Sequence, residues 1–175
     1  MIVEGMAIPT AAAAAPHRRG TRESVLFGGV YGAVLASAMV AALTEYGHTS
    51  QDSRRYDAAW LLVTALASAL AHGYAHFVAE RGPRRRSDVL RVLTDEWPLV
   101  AAVLPSVVIL AGAGWGWWPA DRVEYPAFTL NIALLFALGL VTARWSRRPW
   151  PVAVLIGAGD ALLGVVVVVA NAIIK

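Results

Sequence analysis

Long apolar runs constrain this chain more than any other feature of its sequence. Five segments of about 20 residues are dominated by apolar side chains, and a helix of that length crosses the roughly 30 Å hydrocarbon core of a bilayer. The segments cover residues 25–43, 58–78, 97–118, 126–143 and 150–170. Within them, Asp160 is the single formally charged side chain. The sequence therefore predicts an all-α membrane protein, a bundle of five transmembrane helices. A four-span alternative stays open because Asn131 interrupts the fourth and shortest segment.

Composition supports a membrane environment, and the chain divides into a short tail and one transmembrane domain. Hydrophobic residues make up 58% of the chain and charged residues 15%, whereas soluble domains have about 45–50% and about 25%. That much apolar surface excludes an ordinary soluble fold. Residues 1–22 are predicted to be a disordered cytoplasmic tail, and residues 23–175 a single transmembrane domain. The chain has no cysteine, which excludes disulfides and thiolate ligands.

The basic residues predict an orientation. With five spans, the N-terminal flank and the second and fourth loops share one side and hold eleven of the fifteen Arg and Lys residues. The positive-inside rule then places the N-terminus inside and the C-terminus outside. All seven tryptophans lie near span ends, as expected for interfacial belts. We expect the bilayer as the surroundings, in a bacterial cytoplasmic (inner) membrane, and no nucleic acid as a partner.

The carboxyl group of Asp160 is the first candidate for a functional site. A central Asp costs about 2.5–3.5 kcal/mol on insertion scales, while each Leu, Ile or Val returns about 0.3–0.6 kcal/mol. The branched run Val165–Val169 offsets that cost. The fifth segment therefore still inserts, and Asp160 is predicted to face the interior of the bundle.

A stripe of polar residues follows one face of the second segment. His72, His76 and Glu80 are spaced four residues apart, which keeps neighbours on the same side of a helix. Two histidines at this spacing are a weak metal signal, because the zinc motif HExxH is absent and the sequence here is HGYAH. The alternative role for these two histidines is hydrogen bonding between helices.

Estimated depth predicts that four polar side chains lie together. A rise of about 1.5 Å per residue places Tyr31 and His72 roughly 9 Å from the inner ends of their segments. Ser106 lies roughly 14 Å and Asp160 roughly 15 Å from theirs. We hypothesise a proton or cation site from Asp160, His72, His76, Tyr31, Ser106 and Glu80. Packing is the alternative role for Tyr31 and Ser106.

Small residues predict close helix packing. One ridge lies on the first segment and another on the fifth, and such ridges let helix backbones approach one another. They consist of Gly28, Gly32 and Ala36, and of Gly157, Ala161 and Gly164. The two ridges are expected to pack together, or one of them to form the seam of a homo-oligomer.

Short motifs resemble those of two membrane protein families. Tyr31-Gly32, Ala71-His72-Gly73-Tyr74-Ala75 and Glu96-Trp97-Pro98 resemble small uncharacterised integral membrane proteins of high-GC bacteria. The five-span layout, the Gly-rich first span and Glu80 are similar to vacuolar-iron-transporter-like proteins, with Val30-Tyr31-Gly32 where that family has Asn-Asp-Gly. The first resemblance implies no activity. The second implies iron transport, but this chain lacks the carboxylate of the Asn-Asp-Gly motif.

Two functions follow as expectations. The first is a small transporter or channel-like protein that handles protons or a cation at the Asp/His cluster. The alternative is a non-transporting membrane subunit or scaffold that binds a partner protein. No nucleotide-binding or nucleophile motif is visible, so neither an enzyme nor a cofactor is expected.

Overall fold

Five helices account for nearly all of the described chain. The structure, a computed structural model, describes residues 17–44, 50–79, 94 and 96–174, and no strand occurs among them. The helices are α1 (His17–Thr44), α2 (Gln51–Ala79), α3 (Trp97–Gly114), α4 (Glu124–Trp145) and α5 (Trp150–Ile174). Each contains a segment long and apolar enough to cross a membrane. The predicted all-helical fold with five spans is confirmed, and it indicates a multi-pass membrane protein.

The first two helices begin earlier than the sequence predicts. Helix α1 begins at His17, inside the segment for which a tail is predicted. Helix α2 begins at Gln51, seven residues before the predicted start at residue 58. Ser50 accounts for the early start of α2, because the Ser53 N–H donates to the Ser50 hydroxyl at 3.2 Å, as in an N-cap. Residues 1–16 and Glu80 lie outside the described residues.

A glycine sets the end of α3. The apolar pattern extends to residue 118, but the helix ends at Gly114 because Gly116 has a φ of +79°. The Trp117 N–H donates to the carbonyl of Gly112 at 2.9 Å, and the Gly116 N–H to that of Ala113 at 3.1 Å. This is the Schellman pattern, which satisfies the last carbonyls of a helix. The following tryptophans therefore lie in a turn at the membrane boundary.

Helix α1 organises the bundle. It packs against each of the other four helices, whereas α2 pairs mainly with α3, and α4 with α5. Among the described residues, α2 and α5 make no contact with each other. The described bundle therefore consists of α1, which contacts every other helix, and two helical hairpins that meet each other through α3 and α4.

The two small-residue ridges pack on different helices. A Cβ atom at Gly28 would lie 2.9 Å from the backbone nitrogen of Leu99, so the first ridge fits against α3. A Cβ atom at Gly157 would lie 2.7 Å from the carbonyl oxygen of Phe136, so the second ridge fits against α4. Helix α5 rests on α4 through Gly164 as well. Each ridge thus defines an intramolecular contact, and the two do not meet.

Candidate intramembrane carboxylate site

Asp160 lies in a groove on the surface of the bundle. The groove has a volume of about 440 Å³ and is formed mainly by α1, with one residue each from α4 and α5. Its lining consists of Leu26, Phe27, Val30, Tyr31, Val34, Thr142 and Asp160. Asp160 is the single charged side chain in that lining. The site therefore combines one carboxyl group with an otherwise largely apolar wall.

Helix α4 makes room for the carboxyl group at a glycine. A Cβ atom at Gly139 would collide with Oδ2 of Asp160, and it would also lie 2.8 Å from Cα of Gly157. The carboxyl group therefore points at the backbone of α4. One turn further along, the Thr142 hydroxyl donates to the carbonyl of Leu138 at 2.6 Å and so is engaged with its own helix. Helix α4 therefore leaves space for the carboxyl group at Gly139, but its described residues supply no ion-pair or hydrogen-bond partner for it.

Asp160 has no counter-charge in the described part of the chain. The ion pairs there involve Arg54, Arg55 and His76, and none of them includes Asp160. No hydrogen bond to its side chain occurs among those residues either. Ionisable groups inside membrane spans usually pair with one another or line a substrate or proton path. Asp160 therefore differs from Arg54, Asp57 and Glu124, which lie in ion pairs within the described bundle.

An aromatic cluster connects this groove with α2. The rings of Tyr31 and His72 have centroids 4.8 Å apart and meet edge to face, at 70°. Phe27 contacts His72 at 5.8 Å and is stacked with Tyr31 at 6.2 Å. Edge-to-face and offset aromatic pairs are favourable beyond the area that they bury. Tyr31 thus contacts His72 and also lines the groove that holds Asp160.

The predicted cluster meets at Tyr31. This residue contacts His72 of α2 and lines the groove of Asp160 on α5, while α2 and α5 make no contact among the described residues. The structure brings Tyr31 together with each of them. The two titratable groups form no direct pair.

Ser106 faces a different helix. Its hydroxyl donates to Oδ1 of Asn131 at 2.9 Å, and both side chains are completely buried. The amide nitrogen of Asn131 is buried and has no hydrogen-bond partner among the described residues. A hydrogen bond between α3 and α4 at this level is the usual role of small polar residues in membrane bundles. Ser106 does not line the groove of Asp160.

His76 lies near the start of α3. Its Nε2 atom is 3.8 Å from Oε1 of Glu96, and the imidazole is largely exposed while the carboxyl group is mostly buried. Within residues 17–44, 50–79, 94 and 96–174, no group of three or more His, Asp or Glu side chains is arranged to hold a metal ion. Glu80, the third member of the predicted stripe, lies outside the described residues.

Sequence reasoning missed a buried charged cluster at the other end of the bundle. Arg54 is 3% exposed, and its Nη1 atom lies 3.4 Å from Oδ2 of Asp57, which is also buried. Its Nε donates to the carbonyl of Ala120 at 3.0 Å, and Nη2 lies 3.8 Å from Oε2 of Glu124. The signal was the i,i+3 spacing of Arg54 and Asp57 directly before an apolar run, which fits a salt bridge on a continuing helix.

Comparison with known proteins adds no family. No family model matches the chain, and no curated protein or solved structure is significantly similar to it. The two family resemblances seen in the sequence therefore stay predictions. Any function has to be argued from the site itself.

Proposed function

We propose that this protein binds and moves protons or a monovalent cation at Asp160. The observation that carries the proposal is a carboxyl group within a spanning helix, in a groove, without a basic partner among the described residues. Burying a charge is unfavourable unless it is paired, so such a group favours either a proton or a bound cation. Exchange between those two states is the elementary step of a proton- or cation-coupled carrier.

The neighbouring residues have different roles in this proposal. Tyr31 presents its side chain to the same groove and contacts His72, so it is the candidate link between the carboxyl group and the imidazole. His72 contacts Tyr31 edge to face and is a candidate relay for the proton. His76 and Glu96 form a pair nearer the helix ends and are candidates for the entrance.

The alternative function, a membrane subunit that holds a partner, is favoured by α5. This helix contacts only α4 and α1 in the described part of the chain, and large apolar side chains cover its outer face. They include Leu155, Leu162 and Val166, which are 71%, 60% and 54% exposed. Lipid covers such a face in a monomer, and a helix of a second chain covers it in a complex. In that case Asp160 would pair with a basic side chain of the partner.

The proposed orientation puts the groove in the inner half of a bacterial cytoplasmic membrane. Its support is the excess of Arg and Lys on one side of the five-span layout. The native chain lacks cysteine, so single introduced cysteines report sidedness directly. We expect Ser146→Cys to be labelled by an impermeant maleimide only after cell lysis, and Asp121→Cys to be labelled on intact cells. The reverse result would invert the proposed orientation.

Proteoliposomes test the proposed function. We expect purified protein to dissipate an imposed proton gradient, or to take up a cation against one, and Asp160→Asn to abolish that flux. Asp52→Asn is the matched control, because Asp52 is a highly exposed carboxyl group paired with Arg55. The proposal is wrong if wild-type protein gives no flux, or if Asp160→Asn transports as well as Asp52→Asn. A stable co-purifying membrane partner without flux would support the subunit alternative.

A further inference from the structure

We propose that the ligand of the Asp160 groove is a monovalent organic cation with an apolar body, which exchanges with one proton. This inference rests on the proposed function and specifies the class of its substrate. In the bound state the positively charged group of the cation lies next to the Asp160 carboxylate, and its apolar body lies along Leu26, Phe27 and Tyr31.

The chemistry of the lining excludes hard metal ions. Calcium takes 6–8 oxygen ligands at about 2.3–2.6 Å, and magnesium requires an octahedron of oxygens. The groove offers side-chain oxygens from Tyr31, Thr142 and Asp160 alone, and the Thr142 hydroxyl is already engaged with Leu138. The described residues contain no cluster of metal-ligating side chains here or elsewhere. One carboxylate with few other donors matches a single positive charge that does not need a complete oxygen shell.

The two aromatic rings fit the body of such a cation. Phe27 and Tyr31 are one helical turn apart, their planes are inclined by only 12°, and the side chains are 57% and 38% exposed. A cation within about 6 Å of a ring centroid is attracted to its face, most strongly when water is excluded. Leu26, Val30 and Val34 complete an apolar wall beside the rings. The volume of about 440 Å³ is within the range of small-molecule sites, about 300–1,000 Å³.

The position of the groove selects amphiphilic ligands. All of its lining residues belong to the membrane-spanning segments, and the exposed rings of α1 lie between α2 and α5, which do not touch among the described residues. A ligand therefore reaches the groove at the level of the acyl chains. Ions with a full hydration shell are excluded from that region, whereas cations with an apolar surface partition into it.

Charge balance sets the stoichiometry of the exchange. The protonated carboxyl group releases its proton when the cation binds, and takes a proton back when the cation leaves, so one cation replaces one proton. The groups that face Asp160 are Tyr31 from α1, and Gly139 and Thr142 from α4, of which only the tyrosine is titratable. His72 contacts Tyr31 edge to face and is the candidate relay through which the released proton leaves the groove.

Binding measurements in phosphatidylcholine nanodiscs test this inference, with tetraphenylphosphonium as the probe and empty nanodiscs as the blank. We expect saturable binding of one cation per chain and release of about one proton. Tetraphenylborate, an anion of the same shape, and tetramethylammonium, a cation without a large apolar body, should bind far more weakly. Equal binding of tetraphenylborate would overturn the proposal, because the groove would then recognise shape without charge.

Variants assign the binding to the groove. Asp160→Asn should weaken binding by more than tenfold, and Asp160→Glu should retain most of it, which separates loss of charge from misfolding. Tyr31→Leu should weaken binding about three- to tenfold, the range of a desolvated cation–π contact. Tyr74→Leu, a change at a 70% exposed tyrosine of α2 outside the groove, should have no effect.

The failures are distinguishable. If Asp160 is needed for proton flux but tetraphenylphosphonium does not bind, the proposed function stands and the substrate class is wrong. If neither flux nor binding depends on Asp160, both proposals fail. If Tyr31→Leu and Tyr74→Leu weaken binding equally, the aromatic wall is not the binding surface and the inference is overturned.

Discussion

Asp57 and Asp160 are both carboxylates on membrane-spanning helices, but their surroundings are opposite. Asp57 is 1% exposed and lies 3.4 Å from the guanidinium group of Arg54, which also binds a loop carbonyl and approaches Glu124. Asp160 is only partly buried, lines an open groove and has no ionic or hydrogen-bonding partner among the described residues. The Asp57 carboxylate is paired within the fold, and the Asp160 carboxylate is available to a ligand or proton from outside the fold.

The difference separates a structural charge from the one proposed to be functional. Removing one member of a buried ion pair leaves an uncompensated charge, so such a pair stabilises the arrangement in which it is found. At Arg54 it joins α2, α4 and the loop between α3 and α4. An unpaired carboxyl group stabilises nothing by itself and is expected where a ligand or proton completes it. The two sites should therefore respond oppositely to substitution.

Arg54→Met should give the largest effect. The free energy of unfolding is expected to fall by about 3–5 kcal/mol, because the buried Asp57 carboxylate loses the guanidinium group that lies 3.4 Å away. Reversible unfolding in mixed detergent micelles measures the change. Arg55→Met is the control, since Arg55 is 50% exposed and its pairs are weaker, and it should lose only about 1–2 kcal/mol. If both variants lost the same free energy of unfolding, the buried cluster around Arg54 would not stabilise the fold more than the exposed pair of Arg55.

Gly139→Ala should give an intermediate effect. The added methyl group meets Oδ2 of Asp160 and Cα of Gly157, so α4 and α5 must separate, at a cost of about 1–3 kcal/mol. Gly159→Ala is the matched control on α5, because a Cβ atom added there would have no atom of another helix within 4 Å. That variant should be neutral or stabilised by up to about 1 kcal/mol. Both are measured by the same unfolding assay, and a destabilised Gly159→Ala would show that α5 has a further neighbour.

Asp160→Asn should give the smallest change in stability, although it abolishes flux. The substitution keeps the shape and removes a charge without a partner, so we expect stability to be unchanged or higher by about 1 kcal/mol. Thermal denaturation followed by circular dichroism compares it with Asp57→Asn, for which a clear loss is expected. A loss at Asp160 as large as that at Asp57 would mean that Asp160 serves the fold.

Hydropathy was sufficient to predict the helices, but not where all of them end. Apolar runs are long in every span, and the energetics of burying backbone in lipid leave the helix as the available structure. The ends depend on local chemistry that hydropathy does not measure, as at the Ser50 cap of α2 and the positive φ of Gly116 after α3. Arg54 and Asp57 looked like loop residues for the same reason, although they belong to a helix.

Depth counting anticipated only part of the site. Position along a span is one coordinate, and it placed Tyr31, His72, Ser106 and Asp160 at similar levels. Position around the bundle is a second coordinate, set by which ridge packs on which helix. Because α1 lies between α2 and α5, His72 and Asp160 share a neighbour without sharing a contact, and Ser106 faces Asn131.

The central place of α1 has a consequence for biogenesis. In the chain, α1 precedes both hairpins, so α2 with α3, and then α4 with α5, are synthesised after the surface against which they pack. Spans form individually and associate afterwards, so an early hub lets the order of synthesis coincide with the order of assembly. We expect truncated chains that end after α3 to retain the α1–α3 contact, with the carboxylate half of the molecule added last.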